Sequence, residues 1–155
     1  MPSTPLPRRL WLTSLAAATA SAAGAASAAP SSETGPPHKI VYQLNHHGPE
    51  HQEAVLNSIG AMLKKYVDDV AIAVGAGGPG IHLLAKQPQR PVVPLHQQRI
   101  RSMSEAYGVT FVACGNTMQS LGWQAADMLD FVKIEEVGAA ALMELQEQGY
   151  AYIAW

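Results

Sequence analysis

The sequence predicts a single α/β domain, with a mostly parallel sheet of five strands and helices on both faces. First, a length of 155 residues fits one domain better than two. Second, strand-like apolar runs alternate with helical patterns about five times after residue 37, which favours a parallel sheet. Third, the inner apolar runs are continuous, as in strands that are covered on both faces. Right-handed crossover connections leave few topologies for such a chain.

Residues 1–28 are predicted to be an export signal and are set aside from the fold. Arg8 and Arg9 precede an alanine-rich apolar stretch, and residues 26–28 (Ala-Ser-Ala) fit the small-x-small rule for signal cleavage. Paired arginines followed by large apolar residues are typical of a twin-arginine (Tat) signal; a general secretory signal is the alternative. The stretch is short and weakly apolar for a bilayer span. We therefore expect a periplasmic protein with no stable membrane insertion after cleavage.

The domain itself is predicted to begin after a linker. Residues 29–37 are rich in proline and small polar residues, and the alternating pattern occupies 38–155. Residues 39–44 (KIVYQL) predict the first strand. The helix predicted over 49–66 has Pro49 in its first turn, where a missing amide costs nothing, and apolar residues at helical spacing. This strand and this helix are the first pair in the alternating pattern of strands and helices.

The middle of the chain repeats this order of strand and helix. Residues 70–74 are continuously apolar, typical of a buried strand, and Gly108 is suited to end a helix. The predicted elements of this part are a strand at 70–74, a glycine-rich loop at 75–80, a short helix at 81–86, a proline-broken loop at 87–94 and a helix at 95–107.

The last third completes the sheet. Residues 109–113 predict a third buried strand, and Gly149 is placed to stop the final helix. The predicted elements of this part are a strand at 109–113, a short helix at 116–123, a turn at 125–129, a strand at 130–134, a helix at 135–148 and a strand at 150–153.

The charge balance argues against a nucleic-acid partner. Without residues 1–28, which hold two arginines and no acidic residue, eight basic residues face twelve acidic ones. No basic cluster exists to follow a phosphate backbone. The one cysteine, Cys114, cannot form an internal disulfide, so in an oxidising compartment it is either buried and inert or kept for chemistry.

Cys114 is the residue most suited to chemistry. It directly follows the third predicted strand and precedes a short helix that Asn116 or Thr117 can cap. The unpaired amides and positive end of a helix favour the thiolate and lower the pKa of a thiol there. Gly115 leaves space for an approaching sulfur or small ligand.

The other candidate residues follow the first, second and third predicted strands, at the edge where ligands bind in open parallel sheets. The glycine-rich loop lacks the lysine of a P-loop, so we expect a tight turn beside the cysteine and not a phosphate site. No cofactor is predicted. The residues expected around Cys114 are Asn45, His46, His47, Gly75, Gly77, Gly78, Gly115, Asn116 and Thr117.

Several segments resemble the DsrE/DsrF-like family over essentially the whole of 38–155. Those segments are 39–44, the long helix after it, the glycine-bearing end of the second strand, 108–118 (GVTFVACGNTM) and 142–153 (LMELQEQGYAYI). The resemblance implies a small α/β protein that forms homotrimers or hexamers. It also implies a sulfur carrier in a sulfur relay, holding sulfane sulfur as a persulfide on Cys114. The partners would be thiol or persulfide donor and acceptor proteins, and any activity would be a sulfurtransferase-like persulfide transfer. The well-studied carriers are cytoplasmic, so the predicted export sets this chain apart.

Two alternatives remain open from the sequence. His47 and His51 have a spacing that places two imidazoles on one metal, and with Cys114 they would form a soft ligand set for copper or zinc. In that case the chain would be an exported metal- or small-ligand-binding module using His46, His47 and Cys114. The second alternative is a non-catalytic subunit of an oligomer, whose cysteine is buried and inert.

Overall fold

The first strand is an inner strand of the sheet, and its apolar residues are buried on both faces. In this computed structural model, which describes residues 35–155, Val41, Tyr42 and Leu44 are all at most 1% exposed. The strands are β1 (His38–Leu44), β2 (Val70–Ala76), β3 (Thr110–Cys114), β4 (Lys133–Glu135) and β5 (Ala151–Ala154). The helices are α1 (Pro49–Tyr66), α2 (Pro94–Tyr107), α3 (Gly115–Leu121) and α4 (Gly138–Glu147), with 3₁₀ turns at Val67–Asp69, Gly78–Leu84 and Ala125–Asp127.

The five strands form one sheet in the order β4-β3-β2-β1-β5, and every neighbouring pair is parallel. The predicted five-stranded α/β fold is confirmed, and the sheet is wholly parallel. The three inner strands are largely buried, whereas β4 and β5 at the edges are exposed along their whole length.

The two faces of the sheet carry different side chains. The strand register places Tyr42, Val74 and Phe111 on one face, where they form a large apolar core with α1 and α2. The opposite face presents Ala73 and Gly75 at its centre and is covered by α4. Helices therefore lie on both faces, as the sequence predicts, because each face of a parallel sheet needs cover.

Element boundaries differ most around β4. The sequence predicts a strand at 130–134 followed at once by a helix from 135, but the strand comes later and the helix begins at Gly138. Glu135 is the last residue of β4, where it pairs with Cys114 of β3. The acidic pair Glu135 and Glu136 resembles the first turn of a helix in composition, which explains why the sequence predicts a helix from residue 135.

The cap of α3 also differs from the prediction. The helix begins at Gly115, so Cys114 itself takes the N-cap position with extended backbone angles (φ −76°, ψ 114°). Asn116 and Thr117 lie inside the first turn and do not cap it. This shift brings the cysteine sulfur closer to the free amides of the helix start than predicted.

The predicted signal at 1–28 and all but the last three residues of the predicted linker at 29–37 lie outside the described residues. These boundaries stay predictions. From residue 35 onward, no helix combines the length and the apolar character needed to cross a bilayer.

Candidate functional site

Cys114 lies where β3 ends, on the side of the sheet that α4 covers. Strand alternation directs Val112 and Cys114 to the same face, and α4 begins directly above that face. The side chain is half-buried, neither sealed nor fully exposed. The sheet and two helix starts thus position one sulfur atom.

The sulfur borders a small cavity, which we term the cysteine cavity, with a volume of about 220 Å³. All of its lining residues are uncharged, and most are small. They are Gln43, Asn45, Gly75, Ala76, Gly77, Gly78, Val112, Cys114, Thr117, Gly138, Ala139 and Leu142. A small, uncharged group fits this space better than a bulky or ionic one.

Hydrogen bonding lowers the pKa of the Cys114 thiol. The Gly138 amide, at the start of α4, donates to Sγ at 3.3 Å. Partial burial is the largest single influence and raises the pKa, but the Thr117 hydroxyl and the amides of Thr117, Gly138 and Asn116 together outweigh it. The Asn116 amide makes the smallest contribution, and it also donates to the Glu136 carbonyl at 2.9 Å. The net effect favours the thiolate, which is the reactive form.

The Thr117 hydroxyl is held in place by the glycine-rich turn. The Gly78 amide donates to Thr117 Oγ1 at 3.1 Å, which leaves the hydroxyl hydrogen free to point at the sulfur. Gly78 has a left-handed backbone (φ +49°), a conformation that suits glycine. The turn after β2 therefore orients a group on α3.

The close approach of α4 to Cys114 requires glycine at residue 138. A Cβ atom there would lie 2.8 Å from Cys114 Cβ and 3.0 Å from Sγ, closer than real Cβ contacts allow. On the sheet below, a Cβ at Gly75 would lie 2.8 Å from Leu142 Cδ2. Missing side chains at these two positions let the α4 amide reach the sulfur.

Most of the predicted site residues come together. Asn45, Gly75, Gly77, Gly78 and Thr117 line the cysteine cavity with Cys114, as expected. Gly115 packs against the backbone of Glu136, where a Cβ would be only 3.0 Å from its Cα. Asn116 lies on the other side of α3, beside a different cavity.

The histidines after β1 do not line the cysteine cavity. The rings of His46 and His51 pack edge to face at 4.8 Å, and the carbonyl of His47 accepts a hydrogen bond from Gln52 at 3.2 Å. Between residues 35 and 155, no group of three His, Cys, Asp or Glu side chains is placed to hold a metal ion. The structure therefore does not bring His47, His51 and Cys114 together as a ligand set.

Sequence reasoning missed the contribution of α4. Gly138, Ala139 and Leu142 form one wall of the cavity, and Gln43 contributes from β1. The run of small residues after Val137 was the available signal, since small residues at a helix start permit close packing on a sheet.

Two solved structures have a fold similar to that of this chain. The chain is similar to the protein MTH1491 of Methanobacterium thermoautotrophicum, described as of unknown function (24% identity, TM-score 0.64), and to the YchN protein of E. coli (15% identity, TM-score 0.63). Each alignment covers 76% of this chain and 99% of the other. At these identities the likeness concerns the fold. No curated protein matches the chain.

The sequence profile of the DsrE/DsrF-like family matches residues 38–155, the whole of the α/β unit that contains Cys114. The match begins at the first residue of β1 and continues through β5 to the last residue of the chain. The chain belongs to the DsrE/DsrF-like family.

Proposed function

We propose that this protein is a sulfur carrier that holds sulfane sulfur as a persulfide on Cys114 and passes it to a partner's thiol. The observation that carries the proposal is the environment of the sulfur. The thiol pKa is lowered by hydrogen bonds from two helix starts, and the sulfur borders a cavity. The family suggests a sulfur-relay role for the chain.

The transfer needs only thiol chemistry. The Cys114 thiolate attacks the outer sulfur of a donor persulfide, R–S–SH, so that a Cys114–sulfur bond forms and the donor S–S bond breaks. The donor leaves as a thiolate and takes the proton, which gives R–SH and the Cys114 persulfide. An acceptor thiolate then attacks the outer sulfur and releases the Cys114 thiolate. No net oxidation occurs, and no second cysteine in the chain is required.

The cysteine cavity supports this role through its size and neutrality. The glycines at residues 75, 77 and 138 leave room for one or a few sulfur atoms beyond Sγ. The Gly138 amide and the Thr117 hydroxyl can donate to a persulfide anion as they do to the thiolate. The cavity lining holds no cation to bind an anionic carrier molecule. We infer that donor and acceptor are proteins that present a thiol or persulfide on an exposed segment.

Assembly and export belong to the same proposal. Tyr152, Ile153 and Trp155 are 40%, 37% and 48% exposed on or beside the edge strand β5. An uncovered edge strand with large apolar side chains is a surface that proteins commonly protect. A homotrimer or hexamer would cover it, and the predicted Tat signal would place the relay in the periplasm.

Intact mass spectrometry of the purified full chain, after treatment with inorganic polysulfide, tests the proposal. We expect a gain of one sulfur that is absent in Cys114→Ser and that cyanide removes as thiocyanate. The assignment is unambiguous because the chain has a single cysteine. A folded protein that gains no sulfur, and whose thiol also resists iodoacetamide, would instead support the non-catalytic subunit.

A further inference from the structure

We propose that a second cavity, lined by Arg90 and His82, binds a small tetrahedral oxyanion. This oxyanion cavity has a volume of about 400 Å³ and lies against α3. It shares Gly78 and Thr117 with the cysteine cavity, and these two residues are joined by the 3.1 Å hydrogen bond. The two cavities are therefore neighbours, but their linings differ in charge.

Arg90 is the only charged side chain in the lining. Within residues 35–155 it has neither a hydrogen-bond acceptor nor an ion-pair partner, whereas the other two arginines of that part are engaged. Arg99 donates to Asn57 at 2.8 Å, and Arg101 pairs with Glu105 and Asp130 at 3.0 Å each. A guanidinium at a cavity without an acidic residue is suited to an anion, and its planar donors match an oxyanion.

His82 supplies a second, independent observation. The residue is 2% exposed, and its Nδ1 has no hydrogen-bond partner among the described residues. The Trp123 ring packs against the His82 imidazole, nearly perpendicular to it, with 5.1 Å between the ring centroids. A buried polar atom without a partner is costly. Nδ1 itself has almost no accessible surface, so an anion in the cavity can accept a hydrogen bond from it only when the imidazole ring turns.

The charges around His82 also favour a bound anion. Burial lowers its pKa most, and Arg90 and then His47 lower it further by repulsion. No acidic group contributes, and the polar groups around the cavity are Asn116, Thr117 and Ser120. A bound anion would offset the repulsion, so binding should raise the pKa of His82 and strengthen as the pH falls.

The oxyanion chemistry fits two kinds of source. Thiosulfate carries a sulfane sulfur and would link this cavity to the chemistry of Cys114, whereas phosphate or sulfate would be a structural or regulatory ligand. The inference does not rest on persulfide formation at Cys114. It rests on the arginine, the unpartnered imidazole and the cavity between them.

Isothermal titration calorimetry of the full chain with thiosulfate, sulfate and phosphate, each against a chloride blank, tests the site. We expect saturable binding of one anion per chain with a Kd of about 1 mM. Arg90→Ala should weaken binding about tenfold, because a charge-assisted bond is lost. Arg99→Ala, which removes the same charge elsewhere on the surface, should leave it unchanged. Preference for thiosulfate identifies a sulfur-bearing ligand, and equal binding of all three identifies a general oxyanion site.

Two further variants separate this inference from the proposed function. Cys114→Ser should bind the anion as the native chain does, even if no persulfide forms on the native protein. His82→Gln, accepted only if its thermal unfolding is cooperative, should weaken binding, and the His82 C2 proton should shift on titration in the native chain. The proposal is overturned if none of the anions binds saturably, or if Arg90→Ala and Arg99→Ala bind equally.

Discussion

The two faces of the sheet have different roles: one holds the main apolar core, and the other borders the cavity beside Cys114. The face under α1 and α2 holds the largest of the fully buried side chains in residues 35–155, including Tyr42, Phe111 and Ile59, each at most 1% exposed. The face under α4 presents Ala73 and Gly75, and Ala141 is the one buried residue of α4. Large side chains fill space and stabilise the fold, whereas small ones leave a cavity beside Cys114. One sheet can therefore be rigid on one side and open at the edge of the other.

Truncating a large side chain on the first face should have the largest effect. Phe111→Ala removes a buried ring that also packs against Phe131 at 5.8 Å, and we expect a loss of about 3–5 kcal/mol in the free energy of unfolding. Leu142→Ala on α4 removes a half-buried side chain and should cost about 1–2 kcal/mol. Urea unfolding of both variants measures the difference. Equal losses would mean that the two faces share the stabilisation.

Adding one methyl group at the start of α4 should disturb the second face. Gly138→Ala places Cβ 2.8 Å from Cys114 Cβ, so α4 or the sulfur must move. We expect a loss of about 1–3 kcal/mol and a several-fold slower reaction of Cys114 with iodoacetamide, because the Gly138 amide no longer reaches the sulfur.

Gly60→Ala is the matched control for that substitution. Gly60 lies inside α1 with nothing within 4 Å of its would-be Cβ, so the same change should stabilise the protein by about 0.5–1 kcal/mol. A free energy of unfolding that falls in Gly138→Ala and rises in Gly60→Ala would show that the tight packing is specific to the contact with Cys114. An unchanged thiol reactivity in Gly138→Ala would contradict the role of the α4 amide.

The inner strands of the sheet and the position of Cys114 could be predicted from the sequence. The continuous apolar runs of β2 and β3 predicted buried parallel strands, and with them the position of Cys114 at a strand end. The fold then had to bring Asn45, Gly77 and Thr117 to the same edge, as carboxyl ends of parallel strands do.

The edge strand β4, the position of α4 and the contacts of the histidines after β1 could not be predicted in the same way. β4 has only three residues, all exposed, so it lacks an apolar pattern, and the acidic pair Glu135 and Glu136 at its end resembles a helix start. The contact between Gly138 and Cys114 spans 24 residues and depends on how α4 crosses the sheet. Local spacing likewise suggested that His47 and His51 meet, whereas the loop turns the ring of His46 towards His51.

Removing the Thr117 hydroxyl should have a smaller effect, seen mainly in the chemistry of Cys114. Thr117→Val keeps the shape but loses the hydrogen bond to the sulfur and the acceptor of the Gly78 amide, so the pKa of Cys114 should rise. At pH 7 the alkylation rate should then fall about threefold, partly offset because a more basic thiolate is more nucleophilic. Thr110→Val on the same strand as Cys114 is the control. The pH–rate profile distinguishes a raised thiol pKa from blocked access, which would lower the rate at every pH.

The smallest expected effect is a dependence of stability on pH, to which a buried histidine of the first face contributes. His96 of α2 is buried and its Nδ1 lies 3.1 Å from Gln52 Oε1 of α1. Burial lowers the pKa of His96 most, Arg99 lowers it further, and Glu53 opposes them. Since the unfolded chain then binds the proton more tightly, the contribution of His96 is complete above the ordinary pKa of about 6.5 and declines below it. The free energy of unfolding should therefore decrease from pH 7 to pH 5, less so in His96→Gln, and as in the native chain for His38→Gln, whose side chain is exposed. If His96→Gln keeps the native slope, the other buried histidine, His82, on the wall of the oxyanion cavity, becomes the source of the acid sensitivity.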